Sequence, residues 1–99
     1  MEGTKTEQLP ELKTIIGATD PKYAGETAWA YHRASGQREA TEIEPNGHYR
    51  LDLPFYEVTG ESLIEVVTPG YSIEKPLSLL TRGKITPKGT LSLKQPDSK

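Results

Sequence analysis

The stretch Pro45-Asn46-Gly47-His48-Tyr49-Arg50-Leu51-Asp52-Leu53-Pro54 carries the clearest structural signal in this chain. Tyr49, Leu51 and Leu53 fall on one side, and His48, Arg50 and Asp52 on the other. That is a period of two, the pattern of a half-buried β-strand. Asn46-Gly47 just before it supplies the left-handed conformations of a tight hairpin turn. The expected partner is therefore the preceding segment, with residues 38–44 antiparallel to residues 48–53.

Outward from this hairpin, turn signals recur at short intervals: Asp20-Pro21, Ser35-Gly36, Thr59-Gly60, Pro69-Gly70, Arg82-Gly83 and Lys88-Gly89. Each contains a residue that pre-sets a turn or tolerates positive φ. The intervals leave room for strands but not for helices of ordinary length, and no window shows a 3.6-residue apolar stripe. Residues 12–18, 62–67 and 71–80 read as further strands, the last with Ile73, Leu77 and Leu79 on one face. Pro76 inside that segment places it at a sheet edge or a bulge. Leu91 and Leu93 mark a short last strand. About seven short strands with one inward face each predict an all-β fold, a two-sheet sandwich.

Composition bounds the rest. At 99 residues the chain is one domain, read as a polar N-terminal tail over 1–10, a sandwich over 11–94 and a tail over 95–99. Ile, Leu, Val and Phe make up about a fifth of the residues, a lean core. A net charge of −2 leaves no electrostatic footprint for nucleic acid. Without cysteine there is no disulfide framework, thiolate metal site or cysteine nucleophile. The longest apolar run is far too short to insert in a membrane. The first ten residues lack the charged-then-apolar layout of a secretory signal.

The order Ala24-Gly25, strand, Ser35-Gly36, then Pro45 to Pro54, then Pro69-Gly70-Tyr71 resembles the carboxypeptidase regulatory-like domain, a transthyretin-like (prealbumin-like) β-sandwich. The resemblance covers roughly residues 12 to 93. It departs at Ile43-Glu44, where the family usually has Thr-Asp, at the spacing of Gly17 from Asp20, and at residues 55–61, which lengthen a usually short turn. In that family the domain is typically a non-catalytic appendage of carboxypeptidases, outer-membrane receptors, surface proteins and some virion proteins. The resemblance thus implies an Ig-like sandwich that binds rather than reacts. Hydroxyisourate hydrolases share the fold, but their Tyr-Arg-Gly-Ser ending is absent here.

No residue pattern predicts catalysis, a metal or a cofactor. His32 and His48 have no His or Glu partner at ligand spacing, and a solvated imidazole is the simpler account of each. Glu39, Glu42 and Glu44, near Arg38 and Arg50, read as a solvated hairpin face with cross-strand partners. An isopeptide from Lys13 to Asp97, with Glu65 as the acid, is disfavoured because Asp97 lies in a polar tail. Arg82, Lys84 and Lys88 form a basic cluster too small to hold a polyanion.

The aromatic residues are the candidate binding groups. Plain hydrophobic patterning of Thr27-Ala28-Trp29-Ala30-Tyr31-His32-Arg33 puts Trp29 and Tyr31 in the core. Counting from Gly25, the resemblance implies the reverse, with Ala28 and Ala30 inward and Trp29, Tyr31 and Arg33 lining an outer face. Such a row has the composition of an interface hot spot, and a flat aromatic row also suits sugar rings. Phe55, Tyr56 and Val58 form a second candidate, because three apolar residues in one loop are unusual. Phe55 reads as a lid on the sandwich and Tyr56 as a partner contact. The expected role is a non-enzymatic structural module docking onto protein subunits of a larger assembly. A phage or virion accessory (decoration) protein and a cell-surface protein both fit. The alternative is a secreted or outer-membrane carbohydrate-binding or adhesion module.

Overall fold

The computed structural model describes residues 13–93. Eight strands form two four-stranded sheets, consistent with an all-β sandwich. They are β1 (Lys13–Ala18), β2 (Thr27–His32), β3 (Gln37–Glu42), β4 (His48–Leu53), β5 (Leu63–Thr68), β6 (Tyr71–Pro76), β7 (Gly83–Ile85) and β8 (Leu91–Leu93), with a helix, α1 (Leu77–Arg82), between β6 and β7. The first sheet has the order β4-β1-β7-β8 and the second β3-β2-β5-β6. Every pairing is antiparallel except β1 with β7.

The strand His48–Leu53 alternates as its sequence dictates, with Tyr49, Leu51 and Leu53 buried and His48, Arg50 and Asp52 exposed. The turn before it also forms: Gly47 has φ 88°, and its N–H donates to the Glu44 carbonyl at 2.8 Å. The expected hairpin between residues 38–44 and 48–53 does not follow from that turn. After one rung, Glu44 N–H to the His48 carbonyl at 2.9 Å, the two arms part into different sheets. The cause lies in the partners each arm finds. The Gly47 carbonyl accepts from the Thr19 N–H at 2.7 Å, which carries β4 onto β1 with Leu51 opposite Ile15. The other arm continues along β2, with Ile43 bonded to Gly25 and Glu26. The turn is thus the corner that joins the two sheets.

The expected strand over 71–80 is also cut short. It ends at Pro76, on an edge strand as the missing N–H requires. Leu77–Arg82 is a helix of six residues that buries Leu77 and Leu80. Leu77 N–H donates to the Ser62 carbonyl at 2.8 Å and Ser78 N–H to that of Gly60 at 2.9 Å, so the loop before β5 anchors the helix start. Arg82-Gly83, read as a turn, instead opens β7. Gly83 is extended there, and a Cβ on it would lie 2.7 Å from the Ser92 carbonyl of β8. Close strand approach, not turn geometry, requires that glycine.

The core joins Ile15, Leu51, Leu53 and Ile85 of the first sheet to Ala28, Ala30, Ile64 and Val66 of the second. Ile43, Phe55, Leu77 and Leu80 close its ends. Each large aliphatic side chain buried this fully contributes about 1.5–3 kcal/mol. Tyr49 is fully buried beside Gly17, its cross-strand partner, which has no Cβ to obstruct the ring.

Candidate functional site

The pleat of β2 settles which residues the second sheet turns outward. Ala28 and Ala30 are fully buried against the first sheet, so Trp29 and Tyr31 must point away from it. Hydrophobic patterning alone predicts the opposite, and it fails because size is not what the inner face selects here. Two alanines leave space that Ile64 and Val66 on the neighbouring strand fill. The Trp29 and Tyr31 rings stack with centroids 5.9 Å apart and planes inclined by 15°. Both are half-buried.

Strand register assembles the surroundings of this pair. Ala40 of β3 and Val67 of β5 lie opposite Trp29, while Arg38 and Glu65 lie opposite Tyr31. Beyond β5, Ser72 and Glu74 of β6 continue the two rows. Arg33, just past the end of β2, donates from Nε to Glu65 Oε1 at 2.8 Å. That bond, and the carboxylate charge behind it, raise the Arg33 pKa above its ordinary value. Tyr31, Arg33, Gln37, Arg38, Glu65 and Val67 border an open hollow of about 510 Å³. One aromatic ring, one ion pair and one further guanidinium therefore face a common space.

The second candidate group divides. Phe55 is 5% exposed, so its side chain belongs to the packing, while Val58 is half-buried with one side packed against the core. Tyr56 is 62% exposed. Its backbone is pinned by Gln37: the Tyr56 N–H donates to Gln37 Oε1 at 2.8 Å, and Gln37 Nε2 donates to the Tyr56 carbonyl at 2.9 Å. Gln37 is the cross-strand partner of His32, on the inner face of the sheet, so Tyr56 is held apart from the Trp29–Tyr31 row.

His32 is not the solvated imidazole expected. It is 8% exposed, with Nδ1 at 2.7 Å from Ser35 Oγ. The same hydroxyl accepts from Gln37 Nε2 at 2.9 Å, so the histidine helps hold the β2–β3 turn. His48 is exposed. The glutamates near Arg38 and Arg50 do not form the expected cross-strand face, because β3 and β4 lie in different sheets. Arg50 instead bonds Asp52 at 3.1 Å, and Thr14 Oγ1 donates to Asp52 at 2.8 Å. These two donors, Thr14 first, hold the Asp52 carboxyl below its usual pKa. Lys13 and Glu65 lie in opposite sheets, and Asp97 is outside the described residues. Among the described residues no three His, Cys, Asp or Glu side chains gather as metal ligands. Comparison of the chain with family models, curated proteins and solved structures gave no match.

Arg38, Glu65 and Val67 complete the face, although the sequence pattern gives no reason to group them with Trp29 and Tyr31. Their signal is present in the alternation of Ile64 and Val66 with Leu63, Glu65 and Val67, yet only the register places them beside Trp29 and Tyr31.

Proposed function

We propose that this chain is a non-enzymatic interaction module that docks onto protein subunits of a larger assembly through the outer face of its second sheet. The observation that carries the reading is the Trp29–Tyr31 stack, half-exposed on a rigid sheet whose inner face is closed by Ala28 and Ala30. Aromatic side chains with an adjacent arginine are the commonest anchors of protein interfaces. Tyr56, exposed and fixed by both of its backbone bonds to Gln37, offers a separate contact at little entropic cost. A phage or virion accessory protein and a cell-surface protein are the assemblies this suits, in line with the resemblance to carboxypeptidase regulatory-like domains. The test is capture of partners from the source cells or particles, with identification by mass spectrometry. Tyr31→Ala and Trp29→Ala, checked for native circular dichroism, should each lose the partner that the natural chain retains. Retention by both variants overturns the reading.

One observation favours a second reading, a carbohydrate-binding or adhesion module. The hollow beside Tyr31 combines a ring face with the polar ends of Arg38 and the Arg33–Glu65 pair, which suits a hydroxyl-rich ring. Glycan-array binding that disappears in Tyr31→Ala supports it, and silence across the array removes it.

A further inference from the structure

Strand β3 is an edge, and its open side is unusually well suited to one partner. It bonds to β2 along one side, and among the described residues no strand lies along the other. The direction of its backbone groups follows from Ile43, just past its end. Ile43 N–H donates to the Glu26 carbonyl and its carbonyl accepts from Gly25 N–H, each at 2.8 Å, both on the β2 side. Alternation along an antiparallel ladder then turns the odd-numbered residues toward β2. It leaves the N–H and C=O groups of Arg38, Ala40 and Glu42 facing outward from the sheet. The side chains of these same three residues lie on the outer face, cross-strand from Tyr31, Trp29 and Thr27.

The other three edges are less suited. β6 ends in Pro76 after Glu74-Lys75, β8 has three residues, and β4 carries the Arg50–Asp52–Thr14 cluster on its outward face. Proline, shortness and charged side chains, lysine above all, are the usual devices that blunt an edge. β3 has six residues and no proline or lysine, and its outer-face charges, Arg38 and Glu42, are opposite in sign and equally spaced about Ala40, so a second copy neutralises them.

We propose that β3 pairs antiparallel with β3 of a second copy of this chain, about a two-fold axis at Ala40. The two second sheets thereby join into one sheet of eight strands. In this register Ala40 faces Ala40 of the partner subunit, and Arg38 faces Glu42 of the partner subunit, twice over by symmetry. All three positions have outward backbone groups, so the pairing satisfies each of them. Neither Arg38 nor Glu42 has an ion pair or hydrogen bond from its side chain among the described residues, so both are available. Glu39, half-buried on the inner face, meets Thr41 of the partner subunit, whose hydroxyl can donate to it. The neighbouring registers are worse. A two-residue slip one way sets Glu39 against Glu39 of the partner subunit, the opposite slip keeps only residues 40–42 of each β3 paired, and a four-residue slip sets Arg38 against Arg38 or Glu42 against Glu42. The dimer would place two Trp29–Tyr31 rows on one continuous face. This inference stands apart from the docking reading, since a monomer could dock and a dimer could fail to.

The test is sedimentation of the full chain. The natural sequence should form a concentration-dependent dimer below ~1 mM. Arg38→Glu and Glu42→Arg should each weaken it at least tenfold, because each sets two like-charge pairs across the axis. An equimolar mixture of the two variants should restore dimers, and so should the double variant Arg38→Glu/Glu42→Arg. Ala40→Pro should abolish the dimer while native circular dichroism persists, since the Ala40 N–H has no role within the protomer's ladder. A natural chain that stays monomeric throughout, or a dimer that survives Ala40→Pro unchanged, overturns the proposal. Partner capture by a monomeric chain leaves the docking reading standing, so the two fail separately.

Discussion

The Tyr49 and Tyr71 hydroxyls meet at 2.7 Å, and Tyr71 in turn donates to the Ala18 carbonyl at 2.8 Å. Tyr71 therefore has its proton committed to Ala18 and accepts the proton of Tyr49. The chain runs from β4 of the first sheet through β6 of the second and back to the end of β1. It is a polar tie between the layers, placed where the apolar core alone leaves one ring oxygen to satisfy.

The two tyrosines are therefore unequal. Tyr71→Phe strands both the buried Tyr49 hydroxyl and the Ala18 carbonyl, at a cost of about 1–3 kcal/mol. Tyr49→Phe removes one donor and leaves the Tyr71–Ala18 bond intact, so about 0.5–1.5 kcal/mol is expected. Urea unfolding of both variants should rank Tyr71→Phe as the more damaging. The reverse order would show that the tie is not polarised as the geometry requires.

The same pair sets an alkaline limit on stability. Burial, and secondarily the bond to Tyr71, push the Tyr49 pKa far above that of a free tyrosine. Above the unfolded value of about 10, the unfolded chain releases this proton and the folded chain keeps it. The unfolded state then binds fewer protons, so stability is intact below that pH and declines as pH rises. Tyr49 alone should contribute a slope of about 1.4 kcal/mol per pH unit. Denaturant midpoints measured between pH 9 and 11 should show a shallower decline in Tyr49→Phe.

Gly17 faces the Tyr49 ring so closely that an added Cβ would overlap the phenol. Gly17→Ala should cost about 1–3 kcal/mol by overpacking. Gly17→Ala combined with Tyr49→Leu should be less destabilised than the sum of the two single changes, since the clash is then gone. Additive losses in thermal unfolding would place the cost in the backbone instead.

Gln37 holds Tyr56 by two backbone hydrogen bonds and touches Ser35 as well. Gln37→Ala should speed amide exchange of Tyr56, whose N–H donates to the lost carbonyl oxygen. It should leave exchange in the interior strands β1 and β5 unchanged. Equal protection in the variant would mean that Phe55, not Gln37, fixes this loop.

Local patterning carried much of the fold. The period-two face of Tyr49, Leu51 and Leu53 identified β4, and Pro76 marked an edge strand. What local patterning could not carry was pairing. Asn46-Gly47 specifies a turn, but whether its arms stay together depends on Thr19, 28 residues earlier in the chain. Leu77–Arg82 was illegible as a helix because six residues are too few to display a stripe. The candidate face was half legible. Hydrophobic patterning put Trp29 and Tyr31 inside and only the family resemblance, counted from Gly25, implied the reverse, while Arg38, Glu65 and Val67 join them only through cross-strand register. Phe55 and Tyr56 are adjacent and similar in character, yet one plugs the core and the other faces water. Only the loop's path separates them.

Strand β1 is flanked by β4 and by β7, the latter parallel to it and beginning at Gly83. On a ribosome, which emits the chain from its N-terminus, β2 with β3 and β5 with β6 each meet their neighbour within a few residues of emergence. The β1–β7 seam must wait until Gly83–Ile85 has been made, about 65 residues after Ala18. Until then β1 has one side exposed, and the interval between its synthesis and the arrival of Gly83–Ile85 is the period in which a chaperone or a wrong strand could claim it.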